Sequence, residues 1–396
     1  MNMKNTKKLL VIAAILAVVL VACKKNNTTT SNPPIYNSSS VVFDSNQVAL
    51  QSKGWNLGDS SHISNDSSVI FSGGTQIIFK DSSFVYYMNQ MNTMDDGTLG
   101  NGTIYIKELY KNSDWIFSNM QTVDSGGRWL QSFGALSIAV YQAGDTLDLD
   151  TITSFVPSSG DWRQRFQFRV KVPVTNGNLN RNAYWPSTNQ MLVYRNDLDS
   201  MNTPSNLLTY PGLNWWTVPV PTDSFNFIYP PTSNQNQFYT FRIMDSLSIY
   251  RWYNLADSNA YIAGVGNSGL YNGQHPGTGK ITLQNATSPS YADVQAFFVA
   301  DAPWKVTVIK AVPVLGPNNQ NTQYVFNNVP LNITGKIVAW NVSSGKQLYA
   351  NYLTDNQGNN YFPEVSATST VQSVTFTITY QQTTLTTLTA AIKALN

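Results

Sequence analysis

Carboxylates, hydroxyls and two imidazoles are the side chains of this sequence best suited to hydrolytic or metal chemistry. His62 and His275 sit in SSHIS and GQHPG contexts. Neither has a second His or Glu at the i+3 or i+4 spacing that sets two zinc ligands on one helical face, so both read as loop histidines. A glycosidase needs two carboxyl groups flanking the scissile bond. Asp95 and Asp96 precede Gly97 in a turn-forming composition, while Asp148 and Asp150 share one face of an extended stretch with no aromatic platform beside them. Turn capping and solvation account for both pairs. The segment Asp355 to Asn360 offers hard oxygen ligands that suit a structural Ca2+, but without EF-hand spacing. Ser268 in Gly266-Asn267-Ser268-Gly269 and the S-x-x-K match Ser343 to Lys346 are the remaining nucleophile patterns. Serine chemistry needs a positioned base, and S-x-x-K needs Lys one helical turn away, whereas both segments have turn composition. No catalytic residue and no metal ligand is assigned.

Binding chemistry is better represented. Trp185, Trp215, Trp216 and Trp252 belong to a dense aromatic stretch, and flat rings stack on sugars when they reach the surface. The same rings serve equally to pack a sandwich core, which is the reading preferred here. Arg163, Arg165, Arg169 and Lys171 lie on one face of an alternating segment and would suit an anionic polysaccharide or a lipid phosphate. The competing and preferred reading is a cation-protected edge strand.

The elements that would hold these groups are strands. Glutamate occurs only at Glu108 and Glu364, and the other acids are Asp. Asp, Asn, Ser, Thr and Gly favour caps and turns over helix interiors, so the expectation is an all-β body with many turns. Period-two alternation marks Trp162–Val172 most clearly. Strands are also expected at 69–71, 76–79, 102–109, 135–142, 305–309, 335–340 and 374–380. A short helix is expected over Glu108–Met120, with Ser113 as its N-cap, and the C-terminal TTLTTLTAAIKALN could also end helically, although its threonine density favours extended chain. The fold expected is a tandem of β-sandwich-like domains.

The N-terminus adds a location. Lys4, Lys7 and Lys8 precede an apolar run from Leu9 to Val21, too short to cross a bilayer and typical of a signal peptide. Leu20-Val21-Ala22-Cys23 resembles the lipobox of bacterial lipoproteins, which implies cleavage before Cys23 and acylation of its thiol. Cys23 is the only cysteine, so no thiol is left for a disulfide or a zinc-thiolate site. Residues 24–40 are polar and low in complexity, as a tether is. The divisions expected are a signal peptide over 1–22, a tether over 23–42, and domains over 43–150, 151–278 and 279–396. The 24 Lys+Arg against 22 Asp+Glu give +2 for the whole chain, and loss of the three leader lysines brings the body close to neutral. Nucleic-acid binding, which depends on neutralising many phosphates, is excluded.

A family pattern runs through the segment from Ser67 to Asp150. Ser72-Gly73-Gly74-Thr75 leads into Gln76-Ile77-Ile78-Phe79, followed by Asp96-Gly97, the strand Gly102 to Glu108, Ser113-Asp114-Trp115-Ile116, and then Gly126-Gly127 and Gly134-Ala135. This order resembles the opening ZU5-like β-sandwich domain of Bacteroidetes-type surface lipoproteins. The resemblance implies a sandwich fold and no catalytic residues. Leu331–Val338 through Thr354–Asn359 resembles a prealbumin-like accessory fold. The function expected is a lipid-anchored envelope protein that binds or scaffolds, with a glycan as candidate ligand and the membrane as partner through Cys23. A polysaccharide or peptidoglycan hydrolase using an Asp pair is the alternative.

Overall fold

The computed structural model describes residues 38–39, 42–43, 47–56, 66–80, 101–124, 127, 129–142, 169–173, 191–196, 216–217, 225–226, 238–242, 252–257, 279–285, 294–301, 306–315, 321–330, 333–367 and 373–396. They form an all-β structure with two short helices. Among the described residues no helix is long and apolar enough to cross a membrane.

A six-stranded sheet runs in the order β1 (Gln51–Asn56), β4 (Asn101–Leu109), β5 (Gln131–Gln142), β11 (Trp252–Asp257), β7 (Met191–Asn196) and β8 (Trp216–Thr217). A five-stranded sheet runs β2 (Asp66–Ile70), β3 (Gln76–Lys80), β6 (Arg169–Pro173), β10 (Phe238–Arg242) and β9 (Phe225–Asn226). Each sheet takes strands from both sides of residue 150. β5 pairs with β11 and β3 with β6, so the boundary expected at 150 cuts through two sheets.

From residue 279 onward the strand pairs stay among themselves. One sheet is β15 (Val312–Leu315), β16 (Asn321–Val329), β12 (Gly279–Asn285) and β22 (Ser373–Ile378), with β12 and β22 parallel. The other is β14 (Val308–Lys310), β13 (Val294–Ala300), β17 (Ile333–Val342), β18 (Leu348–Ala350) and β23 (Gln381–Gln382). β21 (Glu364–Ala367) joins β17, and β19 (Leu353–Thr354) with β20 (Asn360–Tyr361) makes a small hairpin.

β13 and β17 show why this part is so well buried. Successive side chains of a strand point to opposite faces. Ala296, Phe298 and Ala300, with Ile337 and Ala339, fill the core between the two C-terminal sheets. Phe297 and Val299, with Val338, Trp340 and Val342, point the other way into a second core. That second core also takes Leu109, Ala135, Tyr194, Trp252 and Ala256 from the six-stranded sheet, so one strand pair serves both cores.

Helix α1 (Asn112–Phe117) follows β4 directly. Its N-cap is Lys111, where Ser113 was expected. Asp114 explains the shift: its Oδ2 accepts the backbone N–H of Lys111 at 3.0 Å and of Tyr110 at 3.1 Å, satisfying donors ahead of the helix. Burial pushes this carboxyl up, while those two N–H groups and the Lys111 charge pull it down. The helix stops at Asn119, whose φ of 55° is left-handed. Asn119 N–H donates to Ile116 O at 3.0 Å and Met120 N–H to Trp115 O at 2.9 Å, a Schellman motif with Asn at the left-handed position.

The C-terminal segment is a helix, against the extended chain expected. α2 (Leu385–Lys393) begins at Thr384, whose hydroxyl accepts from Thr387 N–H at 3.2 Å. Its Leu388, Ala391 and Ile392 recur at helical spacing and are buried. Threonine here caps and faces outward, and the apolar stripe outweighs its modest helix propensity.

Ser39 and Val42 correct the tether. Trp340 Nε1 donates to Ser39 O at 2.8 Å, and Val342 N–H donates to Ser39 Oγ at 2.8 Å. Phe43 packs between Phe117 and Trp340, with ring centroids 4.9 and 5.1 Å away. A tether through residue 42 is therefore too long, because the chain is seated in the core by Ser39.

Candidate functional site

Two places gather polar side chains in buried surroundings: the end of β4 and the junction between the N-terminal sheets and the C-terminal sandwich.

Glu108 lies at the end of β4 and is 7% exposed. The turn Ser72-Gly73-Gly74-Thr75 joining β2 and β3 folds over it. Glu108 Oε2 accepts Gly73 N–H at 2.8 Å and Gln51 Nε2 at 2.6 Å. Oε1 accepts Thr75 N–H at 3.1 Å and the Thr75 hydroxyl, which is also hydrogen-bonded to Tyr110 Oη. A carboxylate holding four donors has no lone pair to spare for a substrate. It clamps the hairpin of one sheet onto a strand of the other. Gly73 is required by contact, since a Cβ there would fall 2.5 Å from Glu108 Oε2. Burial and the Glu108 charge push the Tyr110 hydroxyl well above the usual tyrosine range, so it stays protonated and available to donate.

The junction is a strap between α1 and the start of β5, described over residues 119–124, 127 and 129–132. Thr122 N–H donates to Val308 O at 2.7 Å, and Val308 N–H returns to Thr122 Oγ1 at 3.1 Å. Ser132 N–H reaches Val306 O at 2.9 Å, and the Thr307 hydroxyl reaches Leu130 O at 3.0 Å. Trp129, 1% exposed, enters the core of the C-terminal sandwich 5.2 Å from Phe298 and donates its indole N–H to Asn327 O at 3.0 Å. α1 and α2 close the same junction: Ser113 N–H donates to Asn396 Oδ1 at 3.1 Å, and Asn112 Nδ2 to Leu395 O at 3.0 Å. Each of these bonds joins residues far apart in sequence and makes the parts one bonded body.

At the edge of this junction, β14 carries Lys310. Its backbone N–H donates to Gln121 Oε1 at 3.1 Å, and its Nζ donates to Asn119 Oδ1 at 2.7 Å. Burial pulls this amine down to about 8 from its ordinary 10.5.

No protein family, curated protein or solved structure matches this chain.

The sequence candidates fare unequally. Cys23, His62, Asp95, Asp96, Asp148, Asp150, Arg163, Arg165, Trp185, Trp215, Ser268 and His275 lie outside the described residues. Trp252 is 7% exposed and packed in the shared core, so it is not part of a surface platform. Trp216 sits on β8, at the edge of the six-stranded sheet. Arg169 and Lys171 lie on β6, which β3 and β10 flank on both sides. The edge-strand reading is thus overturned there: β6 is interior, with Val170 and Val172 fully buried.

Ser343 and Lys346 bracket the turn between β17 and β18. Lys346 N–H donates to Ser343 O at 2.8 Å and Gln347 N–H to Ser343 Oγ at 3.1 Å, so the serine is a turn-former. Asp355 caps the β19–β20 turn, its Oδ1 accepting Gln357 N–H at 2.9 Å and Asn359 N–H at 2.8 Å. The Asn359 amide groups foremost, with other turn N–H groups, hold its carboxyl below the usual range. Among the described residues no three His, Cys, Asp or Glu side chains gather as metal ligands would.

Glu108 and Lys310 were not among the sequence candidates. A weak signal for Glu108 exists: it is one of only two glutamates and ends a strand downstream of a Gly-Gly turn. Lys310 has none, because its partner Asn119 is 191 residues away.

Proposed function

We propose that the protein is a lipid-anchored envelope protein in which Cys23 carries the acyl chains and the β-rich body acts as a binding or scaffold module outside the cytoplasm. The observation that carries this reading is the sequence of a basic start, an apolar run and the sole cysteine at its end, ahead of a polar stalk. Two acyl chains or more make an anchor stable, where one is only marginal.

The body fits that role. Its strap, its two docked helices and the seated Ser39 and Phe43 bond the described parts to one another, as a scaffold requires. The described carboxylates of Glu108, Asp114 and Asp355 are each engaged by local backbone or side-chain donors, which favours scaffolding over acid-base catalysis at those residues. A polysaccharide is the candidate ligand, with Trp215 and Trp216 as rings to test now that Trp252 is buried.

Fractionation of expressing cells tests the anchor. The wild type should partition into detergent extracts of the membrane, and Cys23→Ser should release the body or leave it with its leader uncleaved. Equal membrane partition and equal leader cleavage in both would sink the proposal.

A further inference from the structure

We propose that Lys310 and Asn119 form an intramolecular amide cross-link that joins the C-terminal sandwich covalently to the junction strap. The geometry starts with two independent constraints. The Schellman end of α1 fixes Asn119 in a left-handed conformation, and the β13–β14 pairing fixes Lys310 on the facing strand. Between them, Lys310 Nζ lies 2.7 Å from Asn119 Oδ1. The amide carbon is one C=O bond, about 1.2 Å, beyond that oxygen. Attack requires the uncharged amine to move from its hydrogen bond near the amide plane to a position over this carbon.

The backbone on both sides is held. Lys310 N–H is bonded to Gln121 Oε1, and Thr122 and Val308 exchange hydrogen bonds next to it. The two side chains are thus held within hydrogen-bond distance of each other, which raises the effective concentration of amine at the amide. Burial also lowers one obstacle, since the amine is pulled down to about 8 and a minor fraction of it is uncharged near neutrality.

The reaction balances without a co-reactant. The Lys310 nitrogen lone pair attacks Asn119 Cγ, the tetrahedral intermediate expels the Asn119 side-chain nitrogen, and a proton from the lysine amine leaves with it as ammonia. One C–N bond forms and one breaks, with no change of oxidation state. A chain whose only thiol lies at Cys23 cannot form an internal disulfide, and an amide between residues 191 apart would serve the same purpose.

The test is mass analysis of the purified full chain and its tryptic digest. The expected result is an intact mass one ammonia below that of the processed sequence, together with a branched peptide joining Asn112–Arg128 to Val306–Lys336 through Lys310. Lys310→Arg and Asn119→Ala should each restore the full mass. Recovery of a linear peptide ending at Lys310, with Asn119 intact, would overturn the proposal. So would an ammonia deficit that fragmentation places at another asparagine. Both readings are made on the wild type and do not depend on the fate of a variant.

Discussion

Replacing Glu108 puts the clamp between the two N-terminal sheets to a quantitative test. In Glu108→Ala, Thr75 N–H and the Thr75 hydroxyl lose their carboxylate acceptor in a buried place, while Gly73 N–H and Gln51 lie where water can reach them. A buried donor left unsatisfied costs about 1–3 kcal/mol, and since the Thr75 hydroxyl can turn to Tyr110 Oη, the loss is set by the Thr75 N–H at about 1–3 kcal/mol. Glu108→Gln keeps the shape and one carbonyl oxygen, and turns an acceptor into a donor facing other donors. It should fall in the lower half of that range. Urea unfolding followed by tryptophan fluorescence gives the midpoint, and hydrogen exchange at the Gly73 and Thr75 amides locates the loss. If Glu108→Gln unfolds at the wild-type midpoint and both amides keep their protection, the carboxylate is not the clamp described here.

Two further outcomes follow from the packing and the charge. Phe43→Ala should cost about 3–5 kcal/mol, because the ring lies between Phe117 and Trp340 in the core shared by both halves. A thermal midpoint unchanged by that substitution would mean the N-terminal segment is not seated there. The Asn119→Ala variant keeps Lys310 as a free amine, and its stability should climb with pH. The folded protein disfavours the ammonium, so in that variant the penalty is fully present below about 8 and fades as pH rises from there toward 10.5. Urea midpoints across that window should rise in the variant and show no such slope in wild type, where the amine is an amide. A flat profile in the variant would remove burial as the cause of the lysine's low affinity for its proton.

Alternating segments were legible as strands, and so was β17, whereas β13, covered on both faces, was not. The alternation around Val170 and Val172 marks β6 as a strand, but not its neighbours, so its interior position was unreadable. The run Ala296-Phe297-Phe298-Val299-Ala300 has no polar face to alternate with, because one side meets each core. Pairing across residue 150 was equally hidden, since it joins residues as distant as Gln131 and Asp257. The C-terminal helix went against local propensity because its apolar stripe has α1 and the shared core to pack on. At the junction, a lysine and an asparagine are unremarkable residues until the fold brings them together.

The measurement that bears most directly on the anchor is the mass of the N-terminal peptide from protein extracted out of native membranes. The expected peptide begins at Cys23 and carries a diacylglyceryl group on its sulfur. A chain that still begins at Met1, or a new N-terminus bearing a free thiol, would contradict it.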